Sequence, residues 1–163
     1  MADYLVYWRV FWDEVRQDGD NDLQTFLETR VRHDWYTNNQ RFFLKIKRGD
    51  NLWVVVTGGP THPQEWRLLQ HVVVQRRDMT THRAHPLYGP FRVLGNNKTS
   101  VLFHPAMQND FAPILHTFNF KSGRKIMLSG RQIGLALQAS GHRQLSEADV
   151  ILLQAYTADL EEA

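Results

Sequence analysis

The chain has 163 residues, 42% hydrophobic and 22% charged, the proportions of an ordinary globular protein large enough to bury a core. It has no cysteine, which excludes disulfides, cysteine nucleophiles and thiolate zinc sites together. The formal charge is +2 and the pI about 9.0, carried mostly by arginine, a residue suited to bidentate phosphate contacts and to stacking. No run approaches the roughly 18 apolar residues of a membrane span. The start, Met1-Ala2-Asp3-Tyr4, has neither the basic nor the apolar region of a secretory signal. A single domain over residues 1–163, away from membranes and in the cytoplasm, as a monomer or weak dimer, is therefore expected.

In chain order, Tyr4 to Phe11 is aromatic and β-branched and reads as a strand. An acidic stretch from Asp13 to Asp22 follows, with a turn at Asp18-Gly19-Asp20-Asn21. Asp22 caps a helix from Leu23 to Val31. Arg32 to Gln40 reads as an irregular loop. It holds Trp35, Tyr36 and several amides, which suits a site better than an ordinary solvent loop. The stretch Arg41 to Thr57 organises the chain. Its turn, Lys47-Arg48-Gly49-Asp50-Asn51, leads into the uncharged run Leu52 to Thr57, a buried central strand stopped by Gly58-Gly59-Pro60.

Trp66 to Gln75 reads as a second long strand, ended by Arg76-Arg77-Asp78. Met79 to Pro90 is a loop rich in His and Pro. Phe91–Gly95 and Thr99–Phe103 are short strands around a turn at Asn96-Asn97-Lys98. Asp110 to Phe120 is ambiguous, because Pro113 opposes a helix through its centre. A helix from Arg131 to Ala139 is closed by Gly141. Ser146 caps the last helix, with Asp149 at its third position and Leu145 against Val150 as a hydrophobic staple. The order predicts an α+β domain whose mostly antiparallel sheet curls into a barrel with flanking helices.

Two motifs carry a resemblance: Tyr4-Leu5-Val6-Tyr7-Trp8 at the start, and Ile46-Lys47-Arg48-Gly49-Asp50-Asn51-Leu52-Trp53 after Asn39-Gln40-Arg41-Phe42. Together they resemble the PUA-like superfamily, in particular EVE-type modules. Such modules open on a Tyr-Trp strand and carry a Gly-Asp turn into the next barrel strand. The likeness covers residues 4–57 by motif and the remainder by element order. Where those modules continue with serine-glutamate-proline, this chain has Arg9-Val10-Phe11, so the pocket chemistry does not transfer.

The resemblance implies a small PUA-like β-barrel that reads nucleic acid, DNA or RNA. A modified base, a methylated or hydroxymethylated cytosine or a methylated adenine, would be flipped into an aromatic pocket. A nuclease partner is implied for some members, and no cofactor. The residue types such a site needs are present. Tyr7, Trp8, Trp12, Trp35 and Tyr36 offer stacking surfaces, and Asn38, Asn39 and Gln40 offer hydrogen bonds to a base edge. Arg9, Arg41, Arg76, Arg77 and Arg83 offer phosphate contacts.

Plainer readings stand beside these. Trp53 and Trp66 fit a core, Trp8 fits core or pocket, Arg76-Arg77 fits a solvated strand end, and Asp50 fits the organiser of its own turn. No G-x-S-x-G elbow, phosphate loop or dinucleotide fingerprint occurs, so a binder rather than an enzyme is expected, without a metal. The alternative is a small-molecule or metal-dependent enzyme at the barrel mouth, using His82, His85 and His104. A third reading gives the last helix an interaction stripe at Leu152, Tyr156 and Leu160.

Overall fold

The computed structural model describes residues 1–79, 90–138, 140–160 and 162–163, with the backbone alone at 140. Strand β1 spans Asp3–Tyr7 and is shorter than expected. Phe11 does not extend it but opens helix α1, Phe11–Asp18, because Phe11 and Val15 lie one turn apart and are both buried. Asp13 and Glu14 in its first turn suit the helix dipole. Helix α2, Leu23–Thr29, is capped by Asp22, whose Oδ1 accepts the N–H groups of Gln24 and Thr25.

The stretch expected to be irregular contains strand β2, Asp34–Thr37, with Trp35 and Thr37 buried and Asp34 and Tyr36 half-buried. Its alternation is only four residues long, too short to stand out in a polar neighbourhood. The front of the organising stretch is helical. Asn39 caps α3, Gln40–Lys45, by accepting the Phe42 N–H at 3.0 Å, and Phe42 and Phe43 are buried. Strand β3, Asn51–Thr57, then follows the Asp50 turn. Asp50 is 5% exposed, and its carboxylate accepts the backbone N–H groups of Lys47 and Ala2, each at 2.9 Å.

Strands β4 (Trp66–Asp78), β5 (Phe91–Gly95) and β6 (Val101–Leu102) complete a six-stranded mixed sheet of order β1-β3-β4-β5-β2, with β6 on β4. Among the described residues only β1 and β3 pair in parallel; the other ladders are antiparallel. The fold is therefore α+β, but the sheet is not a closed barrel: no ladder joins β1 to β2 among the described residues. Helix α3 fills the gap. The Phe42 ring stands edge-on to Tyr4 of β1 at 5.2 Å and to Trp35 of β2 at 5.8 Å. The outer edge of β1 is covered by the segment before the last helix, where Leu5 donates to the Arg143 carbonyl and Leu145 donates to that of Asp3.

Alternation along β3 divides the core. Leu52 and Val54 face Tyr4, Val6, Phe42, Val72 and Val93, while Trp53 and Val55 face the C-terminal half. That half holds α4 (Ala112–Leu115), α5 (Gln132–Gln138) and α6 (Glu147–Ala158), which bring in Phe111, Leu115, Ile133, Leu137 and Leu153. Pro113 sits in the first turn of α4, where its missing N–H has no helical partner to lose. The capping box of Ser146 and Asp149 forms. Asp149, fully buried, also accepts the N–H groups of Asn119 and Phe120, each at 2.8 Å. Of the stripe on α6, Tyr156 and Leu160 pack against the core and Leu152 is 42% exposed. No helix among the described residues is long and apolar enough to cross a membrane.

Trp53 is core, and it stacks flat on His71 with ring centroids 3.9 Å apart. Its Nε1 donates to Asp3, and His71 Nε2 lies 2.8 Å from Asn51 Oδ1. Burial holds the His71 pKa below its ordinary value, with Asp3 opposing weakly. The neutral ring is thus the folded-state form. Its contribution is complete above the unfolded value near 6.5 and is lost as pH falls from there through the depressed folded value. Thermal melting between pH 7.5 and 5 should show a smaller drop in Tm for His71→Gln than for the parent chain. Equal drops would remove His71 from the acid response.

Candidate functional site

The first residue beyond β1, Trp8, continues the pairing by donating its backbone N–H to Val55 at 3.1 Å. Its indole Nε1 donates to Glu14 Oε2 at 2.9 Å, and its ring meets Phe11 and Phe26 edge-on or tilted. Glu14 is only 7% exposed, so α1 carries a carboxylate into an aromatic setting. Opposite stands β2. Arg92 of β5 donates twice to Asp34 Oδ2, at 3.1 and 2.8 Å, and places its guanidinium 5.6 Å from the centre of the Tyr36 ring. Burial, with Asp34 adding, raises the pKa of the Tyr36 hydroxyl. Trp8, Phe26, Trp35 and Tyr36 enclose a cavity of about 270 Å3, with Glu14 and Asp34 on its wall and Arg30 and Arg32 also lining it. That volume is near the low end for small-ligand pockets, about 300 Å3.

Trp35 and Tyr36 are also walls of a second cavity of about 270 Å3. It is lined by Tyr7, Arg9, Thr37, Asn38, Asn39 and Arg143, and is the more polar of the two. The Arg143 guanidinium lies 4.5 Å from the Phe42 ring centre and donates to the Gln138 carbonyl at 3.2 Å. Burial lowers its pKa from the usual arginine value. Among the described residues no carboxylate lines this cavity.

Of the residues expected at a site, Trp8, Trp35 and Tyr36 share the first cavity, and Tyr7, Arg9, Trp35, Tyr36, Asn38 and Asn39 share the second. Trp12 stands apart, its Nε1 donating to the Thr57 carbonyl at 2.7 Å. Gln40 opens α3 in an exposed position and lines neither cavity. Arg41 lines a smaller cavity of about 170 Å3 with Tyr4 and Lys45. Arg77 donates to the Phe43 carbonyl and lies over that ring, and Arg76 pairs with Leu94 in the ladder; neither lines the two cavities. Arg83, His82 and His85 lie outside the described residues. His104 Nε2 is 3.1 Å from Gln24 Oε1, and no group of three metal-ligating side chains forms among the described residues.

Sequence reading passed over Glu14, Asp34, Arg92 and Arg143. The Phe11–Val15 spacing signals α1 and with it the placement of Glu14 one turn beyond Val10. Asp34 with Arg92, and Arg143 with Phe42, are contacts between distant segments that carry no local signal. Comparison of the sequence with protein-family models and with curated proteins finds no match.

The Trp8–Glu14 bond supports the first cavity, and Glu14→Ala removes its acceptor inside a partly buried setting. A loss of about 1–3 kcal/mol in denaturant unfolding is expected, with Glu14→Gln losing less because it keeps an oxygen acceptor. Equal stability of Glu14→Ala and the parent chain would show that the indole N–H does not depend on this carboxylate.

Proposed function

We propose that this chain is a non-enzymatic reader of nucleic acid, a PUA-like module of EVE type that takes one unpaired or flipped modified base into the Trp8–Trp35–Tyr36 cavity. The observation that carries the reading is the convergence of those three aromatic side chains on one small cavity that also holds the Glu14 and Asp34 carboxylates. The position of α3 between the two end strands supports a barrel-like module in which a helix completes the ring.

The energetics fit such a site. Extracting a base from its stack costs a few kcal/mol. Each aromatic surface it gains returns about 1–3 kcal/mol, so two are enough to offset extraction. A methyl or hydroxymethyl group adds about 1–3 kcal/mol through fit alone, a selectivity of roughly ten- to a hundredfold. Carboxylates accept hydrogen bonds, which suits a base edge presenting an exocyclic amino group. The adjacent cavity, with Arg9 and Arg143 and without a carboxylate among its described residues, suits the phosphate. Catalysis in this reading belongs to a nuclease partner, and this chain supplies recognition.

The test is titration of short methylated and hydroxymethylated DNA and RNA against unmodified controls at low salt. Modified strands should bind about tenfold tighter and weaken as salt rises. Tyr36→Leu should cost about 1–3 kcal/mol of affinity in a variant that melts near the parent temperature. Absence of binding to every modified strand, or an unchanged affinity for Tyr36→Leu, overturns the reading.

A further inference from the structure

The polar cavity does not end at Arg143. Its residues Tyr7, Arg9 and Gln138 also line a larger groove of about 670 Å3, which runs on past Trp12, Gly59, Arg131 and Gly134. We infer that this groove holds the next nucleotides of a single strand whose modified base occupies the Trp8 cavity, so that the ligand is single-stranded nucleic acid rather than duplex. The inference rests on the base-binding reading and names its substrate class.

Two rings are held ready in this groove. Tyr7 is half-buried, with its ring tilted 64° against Trp66 at 4.8 Å. Its flank rests on Gly134, where a methyl group would fall 2.6 Å from the ring. Trp12 is anchored through its N–H to Thr57 and lies against Gly59, a residue at φ +86 where a side chain would sit about 3.0 Å from the indole. Both glycines thus let a backbone come close enough to fix an aromatic plane. Fixed, partly exposed rings are stacking platforms of the kind that bind single strands without strong sequence preference.

The charges follow the same line. Arg9 and Arg131 are exposed along the groove and Arg143 lies in the cavity beside it. The one carboxylate among the described residues lining the groove, Asp13, sits 3.7 Å from the Arg16 guanidinium. A duplex keeps its bases stacked and is read by an element that protrudes into its grooves. Recessed rings flanked by arginines instead require a strand whose bases are already unstacked.

The experiment compares four probes by titration: a hexanucleotide with one central 5-methylcytosine as DNA and as RNA, the same DNA as a blunt duplex, and 5-methyldeoxycytidine monophosphate. One of the single strands should bind at least tenfold tighter than both the monophosphate and the duplex. Arg131→Gln, an exposed position before α5, should weaken that strand several-fold and reduce its salt slope by about 0.7, while leaving the monophosphate unchanged. A monophosphate that binds as tightly as the strands, a duplex that matches them, or an Arg131→Gln variant with unaltered strand affinity overturns the groove and leaves the base cavity standing. Failure of all four probes overturns the groove, and failure of the other methylated and hydroxymethylated strands as well overturns the base cavity with it.

Discussion

One strand belongs to both halves of the sheet, and its register breaks set the position of everything else. β4 pairs with β3 from Asn51 to Thr57 and with β5 from Val74 to Asp78, and the pairing shifts at Val54/Val55 and again at Val74/Arg76. Each irregularity sets two residues against one, which bends the strand and increases its twist. At the second break the backbone groups of β4 are met from outside the ladders. Val73 donates to Ser100 Oγ, Val74 donates to the Asp50 carbonyl, and Gly49 donates to that of Val74. Gln70, fully buried on the same strand, donates to the Arg32 carbonyl and so fixes the approach to β2. The bend of β4 and this tie together turn β5 and β2 back towards β1, leaving a gap that α3 fits.

That geometry explains why two cavities of equal size differ in character, one lined by carboxylates and arginines together and the other by amides and arginines. β2 forms the wall between them, with Trp35 and Tyr36 in both linings. On one side α1 and α2 supply Phe26, Glu14 and Asp18; on the other the end of α5 and the segment before α6 supply Gln138 and Arg143. Charged groups are tolerated on both sides of the strand because these have partners: Arg92 for Asp34, the Trp8 indole for Glu14, and the Phe42 face with a carbonyl for Arg143.

Elements set by local chemistry were legible in the sequence. Asp22 and Ser146 cap helices because a side-chain oxygen over the first turn needs no distant partner. The run Leu52 to Val56 is a buried strand, and Phe91–Gly95 forms with the bounds its turn residues mark. Where the reading failed, tertiary packing overrode propensity. Phe11 and Trp12 have strand-like chemistry but enter a helix because Phe11 and Val15 bury together, and Phe42 and Phe43 do the same on α3. For the candidate site, the aromatic residues Trp8, Trp35 and Tyr36 could be named from type and position, but their carboxylate and guanidinium neighbours could not. Trp12, named with them, lines neither of the two cavities but the larger groove that Tyr7 and Arg9 also line, since an aromatic residue announces its need for burial and not its direction.

The parallel pairing of β1 with β3 has a consequence for how the molecule is made. Ala2 and Asp50, joined by a hydrogen bond at its edge, are 48 residues apart in sequence. Between them lie α1, α2, β2 and α3, and so Trp8, Glu14, Asp34, Trp35, Tyr36 and Asn39 all belong to one crossover connection. Closing such a loop costs chain entropy before any contact across it is gained, and non-local pairings of this kind slow folding. A chain in which β1 has not docked lacks the closure that brings these walls together, and is blind to any ligand they would hold.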